Sequence, residues 1–169
     1  ELLVGFFDIG GFRRFAETTE PQRVLDTMSG YFAVTGRIVA DAGGRLVKTV
    51  FDAGLAAFPG EDVDAAVRAF QEVKDKGEAW LAQRVGKCPV VVKLHLGPVA
   101  IGRVGSPGEE VIDIYGQPVS VAATLPGTGM TMTPSVFRRL QPATRKLFKK
   151  HTPPITYIDV ADSRPARRG

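Results

Sequence analysis

The sequence predicts an α+β fold, with a mixed or antiparallel sheet covered by helices. Three observations predict it. Strand-like apolar runs come in closely spaced pairs joined by glycine-containing turns, as hairpins do. Two long segments between those pairs carry apolar residues at helical spacing. The elements do not alternate strictly, reading βααββαββαβαβ, which argues against a doubly wound parallel sheet.

The first run, Leu2 to Phe7, stops abruptly at Asp8. Gly10-Gly11 then opens a short helix around Phe12-Arg13-Arg14-Phe15. Glu20-Pro21 starts a long amphipathic helix, with Pro at a first-turn position. Its apolar stripe is Val24, Leu25, Met28, Phe32, Ile38 and Val39, and Gly43-Gly44 ends it. Arg45 to Phe58 reads as two strands around a tight Phe51-Asp52-Ala53-Gly54 turn. Asp62 to about Val85 is a second long helix, with Val63, Val67, Phe70, Val73, Trp80 and Leu81 inward. Pro89–Leu96 alternates as a strand, and a Pro107-Gly108 turn leads into strand Val111–Ile114. A helix from Gly116 to Leu125, strand Met130–Thr133, helix Ser135–Leu140 and strand Ile155–Val160 complete the order.

Composition narrows the class. The 169 residues are 44% hydrophobic and 24% charged, which describes one ordinary globular domain. No apolar run reaches membrane-spanning length, so no membrane contact is expected of this domain. The start at Glu1 without Met suggests a piece of a longer, cytoplasmic or membrane-attached protein. A net charge of +4 resides largely in Arg138 to Lys150 and in Arg164, Arg167 and Arg168, without the stacking aromatics of a nucleic-acid binder. A single cysteine, Cys88, excludes an internal disulfide and fits a reducing compartment. With only His95 and His151 beside it, a zinc site is not expected.

The chemistry concentrates at two aspartates. Asp8 and Asp52 each terminate an apolar strand, where a carboxylate is unfavourable without a partner. Either one alone is an ordinary turn residue. Together they point to a shared cation, and the glycine pair after Asp8 leaves helix-start amides for an anion. Mg²⁺ takes one or two carboxylates and fills its shell with phosphate and water. The set therefore suggests a cation-plus-triphosphate site.

Five segments, in order, resemble the class III adenylyl/guanylyl cyclase catalytic domain: Phe7–Phe12, Gly43–Ala53, Leu55–Phe58, His95–Ser106 and Asp113–Ala122. The resemblance runs from about Phe6 to Leu140. It implies a ferredoxin-like βαββαβ palm core with a C-terminal βαβ extension over residues 1–160, followed by a basic tail at 161–169. Asp8 and Asp52 fall on the metal-binding aspartates, with Ile9 in the metal set, for two Mg²⁺ or Mn²⁺ ions. Gly10, Gly11 and Phe12 fall on the phosphate loop. Lys48 and Asp113, with Ile114 beside it, fall on the purine-reading pair, and Lys with Asp looks like the adenine-selecting choice. ATP is the implied substrate, and the implied site forms between two subunits, the metal aspartates of one facing the purine-reading pair of the other. Lys149 and Lys150 are the candidates for a basic residue on the terminal phosphates.

Two departures stand out. Ser120 and Thr124 occupy positions where the family has a ribose-orienting Asn and a charge-stabilising Arg, and Phe51 replaces the Gly that usually precedes the metal Asp. Reduced turnover follows as an expectation, since a missing Arg removes stabilisation of developing phosphoryl charge. The assembly is then a homodimer, or a heterodimer whose partner supplies the missing groups. The competing reading is a catalytically impaired regulatory module that binds nucleotide or dimerises. A diguanylate cyclase or polymerase-like palm is disfavoured, because Phe51-Asp52-Ala53-Gly54 is a poor match to its hairpin motif. Arg103 reads as a loop residue, His95 as structural and Cys88 as inert.

Overall fold

Along β1 (Leu2–Ile9) the side chains part to two sides. Leu3, Phe7 and Ile9 enter one apolar cluster, while Val4 belongs to a second with Phe6 packed against it. That division sets the architecture of the computed structural model, which describes residues 1–162. The tail arginines Arg164, Arg167 and Arg168 lie outside the described residues.

After the short α1 (Phe12–Thr18), α2 spans Pro21–Asp41 and α3 spans Val63–Ala82. Glu20 caps α2 by accepting from the Arg23 amide at 3.1 Å, and Asp62 caps α3 through Ala65 at 3.0 Å. Gly43 ends α2 at φ 81°, and the Gly44 amide returns to the Val39 carbonyl at 2.9 Å. Both helices bury their apolar stripes against one face of the sheet, around Tyr31, Phe70 and Val73. The approach is close: a Cβ at Gly5 would fall inside the Phe70 ring.

The strands β2 (Arg45–Val50), β3 (Ala53–Pro59) and β4 (Val90–Gly97) join β1 in the order β2-β3-β1-β4, all antiparallel. With α2 and α3 as crossovers, this is the ferredoxin-like core. Beyond β4 the sheet continues through β7 (Met130–Met132), which is parallel to β4, then β9 (Thr156–Asp159) and edge strand β8 (Phe148–His151).

The C-terminal extension is therefore richer than the expected βαβ. Between β7 and β8 lie α5 (Pro134–Phe137) and α6 (Pro142–Arg145), and β8 is an additional strand. Its sequence, Phe-Lys-Lys-His, lacks apolar alternation because an edge strand tolerates charge. After β4 the strand breaks at Pro98, and Arg103, expected in a loop, lies in the next strand. β5 (Ala100–Val104) pairs with β6 (Val111–Tyr115) as a separate two-stranded arm. α4 (Gln117–Thr124) returns from that arm to the face that α2 and α3 leave open. Ala122 and Ile114 there complete the second cluster with Val4, Leu55 and Ala57.

Candidate active site

Asp8 pairs with Val91 of β4 at the end of β1, on the face shared with Phe6 and α4. The β2–β3 hairpin closes with Val50 opposite Ala53, so Asp52 is the second of two turn residues. Both carboxylates are half-buried and both sit above the ordinary carboxylate range. Burial is the leading cause for each. Asp8 adds its negative charge to the rise at Asp52, whereas the Lys93 ammonium partly offsets the rise at Asp8. Behind them on α2, burial and then the Asp8 charge keep the Tyr31 phenol protonated.

These residues fit a divalent cation. No Lys or Arg closes within 4.0 Å of either carboxylate among the described residues. No group of three or more His, Cys, Asp or Glu is available there either, which leaves the remaining ligands to phosphate and water. The Ile9 side chain is buried in the core, so only its backbone can serve such an ion. The adjoining loop differs in one respect from expectation: the Gly10 amide is not free, because it donates to the Pro89 carbonyl at 2.7 Å. Gly11 caps α1 at φ 78°, in the left-handed region that favours glycine, and Phe12 anchors the turn in the core.

Phe51 occupies the first hairpin position at φ 56°. Asp52 does not share that positive φ, and a two-residue turn with only its first position in that region prefers Gly there. The Phe51 ring compensates by meeting Phe12 edge-on at 5.5 Å, which ties the Asp52 turn to the glycine loop, yet it remains 59% exposed. We expect Phe51→Gly to leave the melting temperature within a few degrees. Relief of roughly 1 kcal/mol of backbone strain is offset by the lost ring contact and a freer unfolded chain. Calorimetry on the purified domain checks this.

Lys48 and Asp113 do come together, 65 residues apart in sequence. Lys48 Nζ donates to Asp113 Oδ2 at 2.7 Å, and the Ile114 amide donates to Oδ1 at 2.8 Å. Burial would raise Asp113, but these hydrogen bonds and the Lys48 charge bring it below the ordinary range. Ile114 itself turns into the second cluster, and Lys48 also lies 5.6 Å from the Tyr115 ring centre. The charge seen to act on Asp8 is that of Lys93. No hydrogen bond or ion pair among the described residues links this pair to Asp8 or Asp52.

Ser120 is exposed on α4, and the Thr124 hydroxyl donates back to the Ser120 carbonyl at 2.9 Å. Neither side chain reaches across to the aspartates through a recorded hydrogen bond. Lys149 and Lys150 lie on edge strand β8, four strand spacings, or about 19 Å, from β1. Register separates them: Lys150 pairs with Tyr157, which packs on the helix-covered core, while Lys149 pairs with Ile158 and so shares the Asp8 face. A cavity of about 510 Å³ lies instead on the outer side of α2 and α3, lined by Val34, Arg37, Ile38 and Glu72, away from this chemistry.

Residues 1–152 match the family model of the adenylate and guanylate cyclase catalytic domain. The chain belongs to this family. The cyclase domain is 29% identical over 149 residues to an adenylate cyclase of Anabaena cylindrica, covering 80% of this chain but only 30% of that relative. In fold it superposes on the adenylyl cyclase CyaB of P. aeruginosa with a TM-score of 0.77 at 20% identity, over 96% of this chain and 94% of that one. The guanylyl cyclase Cya2 gives the same TM-score at 16% identity, over 99% and 94%. Adenylyl and guanylyl enzymes fit the fold equally well, so the fold does not choose the base.

Sequence reasoning passed over Lys93. The signal was present, since it is the one charged residue within the run Val90-Val91-Val92-Lys93-Leu94. Among the described residues no helix is long and apolar enough to cross a membrane.

Proposed function

We propose that this cyclase domain converts ATP to 3′,5′-cyclic AMP and pyrophosphate at a site shared by two copies of the chain. The observation that carries the reading is the pair of half-buried carboxylates Asp8 and Asp52, the charge of the first acting on the second, with no Lys or Arg within 4.0 Å of either among the described residues. Two divalent ions, Mg²⁺ or Mn²⁺, held by Asp8, Asp52 and the Ile9 backbone would lower the pKa of the ribose 3′-hydroxyl and offset phosphate charge. The 3′-oxygen attacks the α-phosphorus, and the bond from that phosphorus to the bridging oxygen breaks as pyrophosphate leaves.

The chain's own residues bind and orient. Asp113 accepts from the exocyclic amine of adenine while Lys48 donates to a ring nitrogen. The amides of Gly11 and Phe12 border the phosphates. Lys149, on the Asp8 face of the sheet, is favoured over Lys150 for the terminal phosphate. Lys48 is closed onto Asp113 and neither contacts Asp8 or Asp52 within one chain, which supports a composite site.

A second reading has its own observation. With Ser120 exposed and the Thr124 hydroxyl turned onto its own helix, the ribose and the reacting phosphate lack their usual partners. The reading is an impaired domain that binds nucleotide or dimerises. Incubation with Mn²⁺ and each of ATP, GTP, CTP and UTP, followed by mass spectrometry, separates the two. Cyclic AMP formed preferentially supports the proposal. A dimer that makes no cyclic product from any of the four supports the alternative.

A further inference from the structure

Lys93 lies on β4 directly opposite Phe6, and Asp8 lies directly opposite Val91. Lys93 and Asp8 are therefore diagonal neighbours on adjacent antiparallel strands, with backbones roughly 7–8 Å apart, a span a lysine side chain covers. Their faces agree. Val92 and Leu94, on either side of Lys93, enter the helix-covered core, whereas Phe6 joins the cluster beneath α4. Of the β4 residues on the α4 side of the sheet, Val91 is apolar. His95 is held at Thr133 by a 2.9 Å hydrogen bond and pushed by burial toward its neutral form. Lys93 is the fixed positive charge of the row.

The lysine is half-buried yet forms no hydrogen bond or ion pair among the described residues. Half-burying an ammonium without a partner is unfavourable. Elsewhere in the molecule lysines close onto carboxylates, as in Lys48–Asp113 at 2.7 Å and Lys74–Asp162 at 2.9 Å. Here two opposite charges share a face on adjacent strands and stay more than 4.0 Å apart. Neither charge is closed onto the other.

We propose that Lys93 is a substrate-contacting cation, donating from its ammonium to the phosphates of a nucleoside triphosphate bound at Asp8, and supplying in part the charge that Thr124 cannot. The inference rests on the cyclase reading above. A lysine acts on phosphate as a compact point charge, so Lys93 stabilises charge without the two-point geometry of an arginine.

The test is calorimetric titration of the domain, in Mn²⁺, with α,β-methylene-ATP and separately with adenosine. Lys93→Met should weaken the triphosphate analogue about tenfold or more while changing adenosine binding less than twofold. Lys93→Arg should retain most of the affinity, and Lys87→Met, an exposed lysine elsewhere, should change neither. Without ligand, the Lys93→Met melting temperature should stay within about 2 °C of the parent, because the lost attraction to Asp8 is offset by relief of a half-buried, unpaired ammonium. Thr124→Arg should then raise turnover by a larger factor in Lys93→Met than in the parent. Triphosphate affinity within twofold of the parent would overturn the inference, as would a melting temperature lowered by several degrees with affinity intact, the mark of a structural ion pair with Asp8. If the parent itself does not bind the analogue, the cyclase reading fails first, and that outcome is distinct from a failure of Lys93 alone.

Discussion

Asp52→Ala is expected to lower Mn²⁺-dependent cyclic AMP formation by roughly 10³-fold or more, because on the proposed reading Asp52 would help hold the cation that offsets phosphate charge. Initial rates at saturating ATP and Mn²⁺ check this, and a rate within tenfold of the parent contradicts it. The same carboxylates carry an opposite effect on stability. Asp8 and Asp52 titrate above the ordinary range in the folded chain, so their ionised forms disfavour folding, and the folded state gains relative stability as pH falls through that raised range. In metal-free buffer at pH 7.5, Asp52→Asn should therefore melt slightly higher than the parent, by roughly 1–3 °C given its partial exposure. The gain should vanish at pH 3, where both chains are neutral at this position. Mn²⁺ should raise the melting temperature of the parent more than that of the variant.

Ser120→Asn combined with Thr124→Arg raises turnover roughly 100-fold, the scale of one recovered charge-stabilising donor at a phosphoryl transition state. The α4 surface can accept both changes. Ser120 and Thr124 are exposed, and their loss removes only the local Thr124–Ser120 hydrogen bond, so stability should move by about 0.5 kcal/mol at most. A split between kcat and KM is informative here. The Arg acts on charge that develops during ring closure and belongs in kcat, whereas the Asn positions ribose and shifts both. No gain from the double variant would place the obstacle elsewhere, with Phe51 the first suspect, and adding Phe51→Gly to the pair would test that.

The parts of this fold that read clearly are those where local pattern and tertiary role agree. Val63 to Leu81 keeps helical spacing because one face of α3 lies on the sheet. Leu2 to Phe7 is a continuous apolar run because β1 is covered on both sides by different clusters. The carboxylate pair was legible because Asp8 and Asp52 interrupt apolar strands, which is unfavourable without a purpose. What escaped depends on register. Whether Lys149 or Lys150 shares the Asp8 face is fixed by the pairing of β8 with β9, and a four-residue charged strand carries no periodicity to reveal it. The engaged Gly10 amide depends on a contact with Pro89, 79 positions away, which no local motif encodes. Lys93 escaped for the same reason. A lysine inside an apolar strand looks like an edge residue until the sheet order places β4 beside β1.

Mixing two inactive variants tests the central claim most directly. On the proposed reading, Asp8→Ala lacks the metal end and Asp113→Ala lacks the base-reading end. In a site built from two copies, a mixed dimer regains one intact site of its two. With random exchange, half the dimers are mixed, and the mixture should recover about a quarter of parental turnover although neither variant alone is active. Recovery near that level, dependent on Mn²⁺ and on total protein concentration, is the predicted result. An inactive mixture that still forms mixed dimers by native mass spectrometry would contradict the account.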